Sequence, residues 1–146
     1  MTVTAKIYGK MFLAALNKEI DWLDDDIRVT LHTSSYTPDQ DVDDYVDDLS
    51  NEVANGNGYT TGGVALASKT ITYSASTNTI TLDAADVSWA AASITARTAV
   101  VSDRQTGVTS TEPLIGYEQS SSDVTSMGGN FDLVWNASGV LTITVA

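Results

Sequence analysis

The 146-residue sequence has no cysteine, two prolines, one histidine and seven basic residues. Each scarcity excludes something. Without cysteine there is no disulfide, no thiolate zinc site and no cysteine nucleophile. The bases are Lys6, Lys10, Arg28, Lys18, Lys69, Arg97 and Arg104. They are scattered, and none forms the stripe that a protein uses to displace counterions from phosphates. Nucleic acid and anionic membranes are therefore not expected partners. Apolar runs are also short. Residues 11–16 form a stretch of six, below the ~7–15 of a signal-peptide core and far below the ~20 of a membrane span. The expectation is a protein made in a cytoplasm and used without export. The sole histidine, His32, would have to serve any Ser-His-Asp arrangement, and no G-x-S-x-G elbow accompanies it. It falls opposite Ile27, Val29 and Leu31 on an alternating segment, which predicts a solvent-facing or interface side chain. The glycine-rich stretch 56–63 contains no G-K-[ST] and no G-x-G-x-x-G, so no phosphate cradle is indicated. Its glycines are expected to permit turns and close backbone approach.

What the chain has in abundance is acid. Nineteen Asp and Glu set a net charge of −12. Twelve of those carboxylates lie in residues 19–52 against the single base Arg28, while residues 1–18 carry +3 and residues 53–146 carry −4. The remainder is rich in Ser and Thr. The length suits one domain, residues 1–146, able to bury a core without staples.

Tyr8, Met11, Phe12, Ala15 and Leu16 recur at helical spacing. That pattern predicts an amphipathic helix over residues 5–18, capped by Thr4, with Phe12 and Leu16 packed on a sheet. Val42, Tyr45, Val46 and Leu49 repeat the spacing and predict a short acidic helix over residues 41–49. Residues 27–33 alternate as a half-buried strand. From residue 64 onward the chain reads as strands separated by turns. Segments 69–73 and 79–82 form a hairpin, followed by strands near 87–89, 94–101, 114–117, 131–135 and 140–145. Residues 119–123 read as an exposed loop. The fold expected is mainly β (α+β), an antiparallel sandwich or barrel of about eight strands, with an N-terminal helix and a short acidic helix.

One group of residues invites a chemical reading. Asp39, Asp41 and Asp43 occupy positions 1, 3 and 5 of an EF-hand-like series, the oxygen-rich spacing that suits Ca²⁺ or Mg²⁺. Position 6 is then Asp44 in place of Gly, and position 12 is Ser50 in place of Glu. A solvated acidic face is the favoured reading, with Asp39, Asp41 and Asp43 as weak metal candidates. Carboxylate pairs abound, but none is marked as a catalytic acid and base. No catalytic residue and no cofactor is expected.

Several strings in series resemble small virion proteins of tailed bacteriophages. They are Ile20-Asp21-Trp22-Leu23-Asp24-Asp25-Asp26-Ile27-Arg28-Val29-Thr30-Leu31, Tyr59-Thr60-Thr61-Gly62-Gly63-Val64-Ala65-Leu66, Ala84-Ala85-Asp86-Val87-Ser88-Trp89, Pro113-Leu114-Ile115-Gly116-Tyr117, and the closing segment 131–141. Ser102-Asp103-Arg104 stands where such proteins often carry Tyr-Lys-Asp. The resemblance implies a structural role as a head-decoration (cement) or minor virion protein. Its partner would be the major capsid protein, its form a homotrimer and its location the outer capsid. Net acidity would keep free subunits apart until assembly. The alternative is a tail or baseplate component with a glycan-facing surface built from Tyr36, Tyr59 and the tryptophans.

Overall fold

A computed structural model describes residues 3–145. The elements are β1 (Val3–Ile7), α1 (Met11–Leu16), β2 (Ile27–His32), β3 (Val64–Ala65), β4 (Thr70–Ser74), β5 (Thr79–Asp83), β6 (Val87–Ala92), β7 (Thr95–Asp103), β8 (Leu114–Thr125), β9 (Gly129–Leu133) and β10 (Leu141–Thr144), with 3-10 turns at Val46–Asp48 and Thr109–Thr111. The protein is mainly β and sandwich-like, with ten strands where about eight are expected.

One layer is a five-stranded antiparallel sheet in the order β1-β8-β7-β2-β3. The other consists of the β6-β9 ribbon and a three-stranded sheet in the order β10-β5-β4. The expected β4-β5 hairpin forms, with Ile71 opposite Leu82. Between the layers, Ile27, Val29 and Leu31 of β2 meet Val87, Trp89, Phe131 and Leu133 of the ribbon and Leu82 and Leu141 of the smaller sheet. Trp89 stands edge-on to Phe131 at 6.0 Å. Side chains that alternate along β2, β6 and β9 supply this core, as period-two patterning requires.

The far face of the large sheet is covered as well. There Tyr8, Val100, Leu114 and Tyr117 pack with Tyr36 and Val46 from the acidic segment, joined by Leu49. The cover explains why Thr30 and His32, on the face expected to meet solvent, are each 1% exposed. The expected solvent-facing histidine is thus corrected to a buried one.

Two helices give way to other structure. Residues 3–7 pair with β8 over five positions, from Val3 opposite Ser120 to Ile7 opposite Gly116. A helix beginning at residue 5 would forfeit that ladder. Tyr8 is needed beneath the acidic segment, and only Met11–Leu16 remains helical, with Met11 and Ala14 buried. Phe12 and Leu16 face outward at 42% and 82% exposure, so they do not pack on the sheet. Thr4 lies in strand β1, and the N-cap position of α1 falls at Lys10.

The acidic helix reduces to the turn Val46–Asp48. Aspartate side chains take the amides a helix would need. Asp39 Oδ1 accepts from the N–H groups of Asp41 and Val42, and Asp48 Oδ2 accepts from those of Asp44 and Tyr45. Such local side-chain acceptors compete with helical hydrogen bonds. The loop expected at residues 119–123 is instead part of β8, which continues to Thr125 alongside β7 across a register shift. An Arg97–Asp123 ion pair at 2.9 Å crosses the two strands there.

Glycine earns its place where strands crowd. A Cβ on Gly63, at φ +67°, would lie 1.9 Å from the Val29 carbonyl oxygen, and one on Gly58 would lie 2.7 Å from Ala92 Cα. The expectation of close backbone approach in the stretch 56–63 holds at both positions.

Candidate functional site

The three candidate ligands Asp39, Asp41 and Asp43 do not converge. Asp43 is buried, and its Oδ2 accepts from Tyr36 Oη at 2.9 Å and from the Asp39 amide at 3.0 Å. Tyr8 donates in turn to Tyr36 Oη at 2.8 Å. Asp39 points its Oδ1 at neighbouring backbone, while Asp41 is exposed. Among the described residues no group of three or more His, Asp or Glu could hold a metal ion. Asp39 and Asp43 act as acceptors that hold a loop onto the sheet, and Asp41 stays at the surface. Burial raises both tyrosine hydroxyls well above their ordinary range, so they remain protonated and donate down the chain Tyr8–Tyr36–Asp43. A hydrogen bond to a charged acceptor contributes about 1.5–3 kcal/mol.

His32 sits beside this loop against a cavity of about 350 Å³, lined in part by Thr30, Glu52, Asn51 and Arg104. Its Nδ1 is 2.8 Å from the Ser50 carbonyl oxygen, which can only accept, so Nδ1 carries the proton. Thr30 Oγ1 then donates to Nε2 at 2.9 Å. Desolvation lowers the imidazole pKa, which favours the neutral ring that this hydrogen bonding requires. A hydroxyl on an imidazole that is oriented by a third group is the geometry of an activated nucleophile. Here both partners are 1% exposed. The nearby guanidinium is also committed, since Arg104 Nε lies 3.1 Å from Glu112 Oε2, and Glu112 is 3% exposed. The arrangement ties the end of β2 to residues 50–52. It is reinforced by Glu52 Oε1, which accepts from Tyr59 Oη at 2.6 Å and from the Gly62 amide at 2.7 Å.

The aromatic surface considered for glycan contact is also corrected. Tyr36, Tyr59, Trp22, Trp89 and Trp135 are all buried. Trp22 Nε1 and Trp135 Nε1 donate to the carbonyls of Thr70 and Ala85, so these rings serve as buried structural anchors.

Two groups escaped sequence reasoning. Glu118 is 2% exposed, and neither carboxylate oxygen has a hydrogen-bond partner among the described residues. Burial pushes it up to about 7 from an ordinary 4.5. Asp103 is 1% exposed with Oδ2 unpartnered. Burial raises its pKa, the Gln105 amide on Oδ1 offsets part of the rise, and the neighbouring Asp25 carboxyl adds to it. One signal for Glu118 was present: it directly follows the apolar run Leu114-Ile115-Gly116-Tyr117 on a strand whose next alternating inward position it occupies.

No family model matches the chain, and neither a curated protein nor a solved structure matches it. No described helix is long and apolar enough to cross a membrane.

Proposed function

We propose that this chain is a virion structural protein of a tailed bacteriophage that decorates the outer capsid and cements neighbouring capsid subunits. The observation that carries the reading is the free edge of the β10-β5-β4 sheet. Among the described residues β4 pairs with no strand but β5, the Thr70 carbonyl also accepts from Trp22 Nε1, and all five of its residues are exposed. Ile71 and Tyr73 project from it at 47% and 58% exposure. Residues 70–82 contain no charged side chain in a chain of net charge −12. Natural sheets blunt such edges with charge, proline or bulges, so an uncharged, apolar-tipped edge fits a strand or sheet edge of a partner. The strings that resemble phage virion proteins support the reading in a second way. Their apolar residues, from Trp22, Ile27 and Val29 to Trp89, Ile115, Phe131 and Leu141, belong to the buried core. The resemblance therefore concerns a scaffold, as expected of a protein that works by contact area.

On this reading a homotrimer sits at local three-fold positions and engages several copies of the major capsid protein at once. Linked contacts then hold longer than any one would alone. The test is quantitative mass spectrometry of purified virions, with thermal DNA release from particles lacking the protein. Hundreds of copies per particle and release at lower temperature are the expected results. A handful of copies would move the protein to the tail or baseplate, and unchanged thermal release would remove the cementing role.

A further inference from the structure

Glu118 projects from β8 into the space between the sandwich layers, on the same face as Ile115. Its register neighbours are Ala5 on β1 and Ala99 on β7. Above it, the turn after β9 and the start of β10 close a cleft of about 260 Å³. Its walls are Ala5, Glu118, Asn136, Ser138, Val140 and Thr142 together with Gly139 and Leu141. Among the described residues no basic side chain lines the cleft, and the charge of the amino terminus offsets only part of the effect of burial on Glu118. Lys6, the nearest lysine along β1, is paired with Tyr117 and lies on the opposite face of the sheet. None of the four ion pairs among the described residues includes Glu118.

A carboxylate removed from water without donors is strongly disfavoured. The cleft offers it a partner from outside. We propose that this cleft is a binding site for a primary ammonium group, seated on Glu118 with the polar groups of Asn136, Ser138 and Thr142 along its wall. A compact ammonium with three donors can satisfy both Glu118 oxygens, whereas a planar guanidinium needs more width. The alkyl stem of such a ligand would lie against Ala5, Val140 and Leu141. The source is either a free alkylamine or the lysine side chain of a partner protein. The latter would place the contact at the β1–β10 end of the sandwich, separate from the β4 edge, and does not depend on the capsid reading.

The experiment follows the Glu118 side-chain carboxyl by ¹³C NMR in the full chain at pH 8, during titration with n-butylammonium chloride. N-acetyl-lysine N-methylamide serves as a second arm and n-butanol as an uncharged control. The expected result is a saturable shift of the Glu118 signal with butylammonium and none with butanol. Binding should be at least tenfold weaker at pH 5, where the carboxyl is protonated, and at least tenfold weaker in Glu118→Gln followed through its backbone amide. A response to the blocked lysine identifies a protein lysine as a fitting ligand, and a response to butylammonium alone restricts the site to free amines. No movement of the Glu118 signal up to 100-fold molar excess of either cation would overturn the proposal. So would equal binding at pH 5 and pH 8, an arm that does not depend on the variant folding.

Discussion

Replacing Glu118 with Gln should alter the pH dependence of folding more than the folding itself. The wild-type carboxyl ionises near its ordinary 4.5 in the unfolded chain and near about 7 in the folded one. Between those values the native state binds more protons than the unfolded state, so stability falls as pH rises through that window and levels off above it. The difference of about 2.5 in pKa corresponds to about 3 kcal/mol. Glutamine keeps nearly the same shape and cannot ionise. At pH 5 the variant and the wild type should therefore agree within about 1 kcal/mol. At pH 8 the variant should be the more stable by about 2–3 kcal/mol. Urea unfolding of both proteins at pH 5, 6, 7 and 8, at constant ionic strength and without amines, measures the difference directly. The other acids titrate in both proteins and cancel from the comparison. A gap between variant and wild type that stays constant across pH would refute the reasoning, because it would mean that Glu118 is solvated or paired in the folded state.

Other perturbations test other parts of the fold. Asp43→Ala removes the acceptor for Tyr36 Oη and the Asp39 amide, so it should cost about 2–3 kcal/mol and speed amide exchange across residues 36–49 while β7 and β8 stay protected. Gly63→Ala places a Cβ against the Val29 carbonyl at a φ of +67°. A loss of about 3 kcal/mol or more is expected, read as a lower urea midpoint with the β2–β3 pairing most affected. Millimolar Ca²⁺ or a chelator should leave the melting temperature unchanged, since the Asp39 and Asp43 carboxylates accept from backbone amides and a tyrosine while Asp41 stands exposed; an upward shift with Ca²⁺ in differential scanning calorimetry would contradict that.

The strands were legible because their signal is local. In β2, β5, β6 and β9 the alternation of Ile, Val, Leu, Trp and Phe marks the face that meets the core, and the β4-β5 hairpin has a short polar connection that fixes its register. The N-terminal segment misled because two periods coexist in it. Ala5 and Ile7 alternate, while Tyr8, Met11 and Phe12 fall at helical spacing, and only the distant partner β8 decides between them. His32 was misplaced for a similar reason. Alternation distinguishes two faces of a strand, but it cannot show that the loop running from Tyr36 to Ser50 covers the second face. At the acidic cluster, carboxylates at alternate positions suit both ligands and acceptors for nearby amides, and Asp39 and Asp43 take the second use. Spacing alone does not separate the two uses.

That second use gives the acidic third of the chain a structural purpose. Residues 33–53 cross the far face of the large sheet with little regular structure, so many of their amides lack ladder partners. Asp39, Asp43 and Asp48 supply acceptors in place of a ladder. Asp48 is held below its ordinary 3.8 by the Asp44 and Tyr45 amides, assisted by Lys10. Stabilisation of this kind is present above pH 3.8 and is lost as pH falls further, the opposite sign to Glu118 and Asp103. The buried pair weakens the fold as pH rises past the ordinary carboxyl range, because burial raises both of their pKa values. Opposed slopes enclose a maximum, and the ordinary values of 3.8 and 4.5 bracket it. The urea midpoint of the wild-type chain should therefore peak in mildly acidic solution, near pH 4–5, and decline toward pH 8. In Glu118→Gln combined with Asp103→Asn the decline should flatten while the acid limb remains. A wild-type midpoint that rises steadily from pH 5 to pH 8 would show that the exposed, backbone-bonded aspartates outweigh the two buried carboxyls.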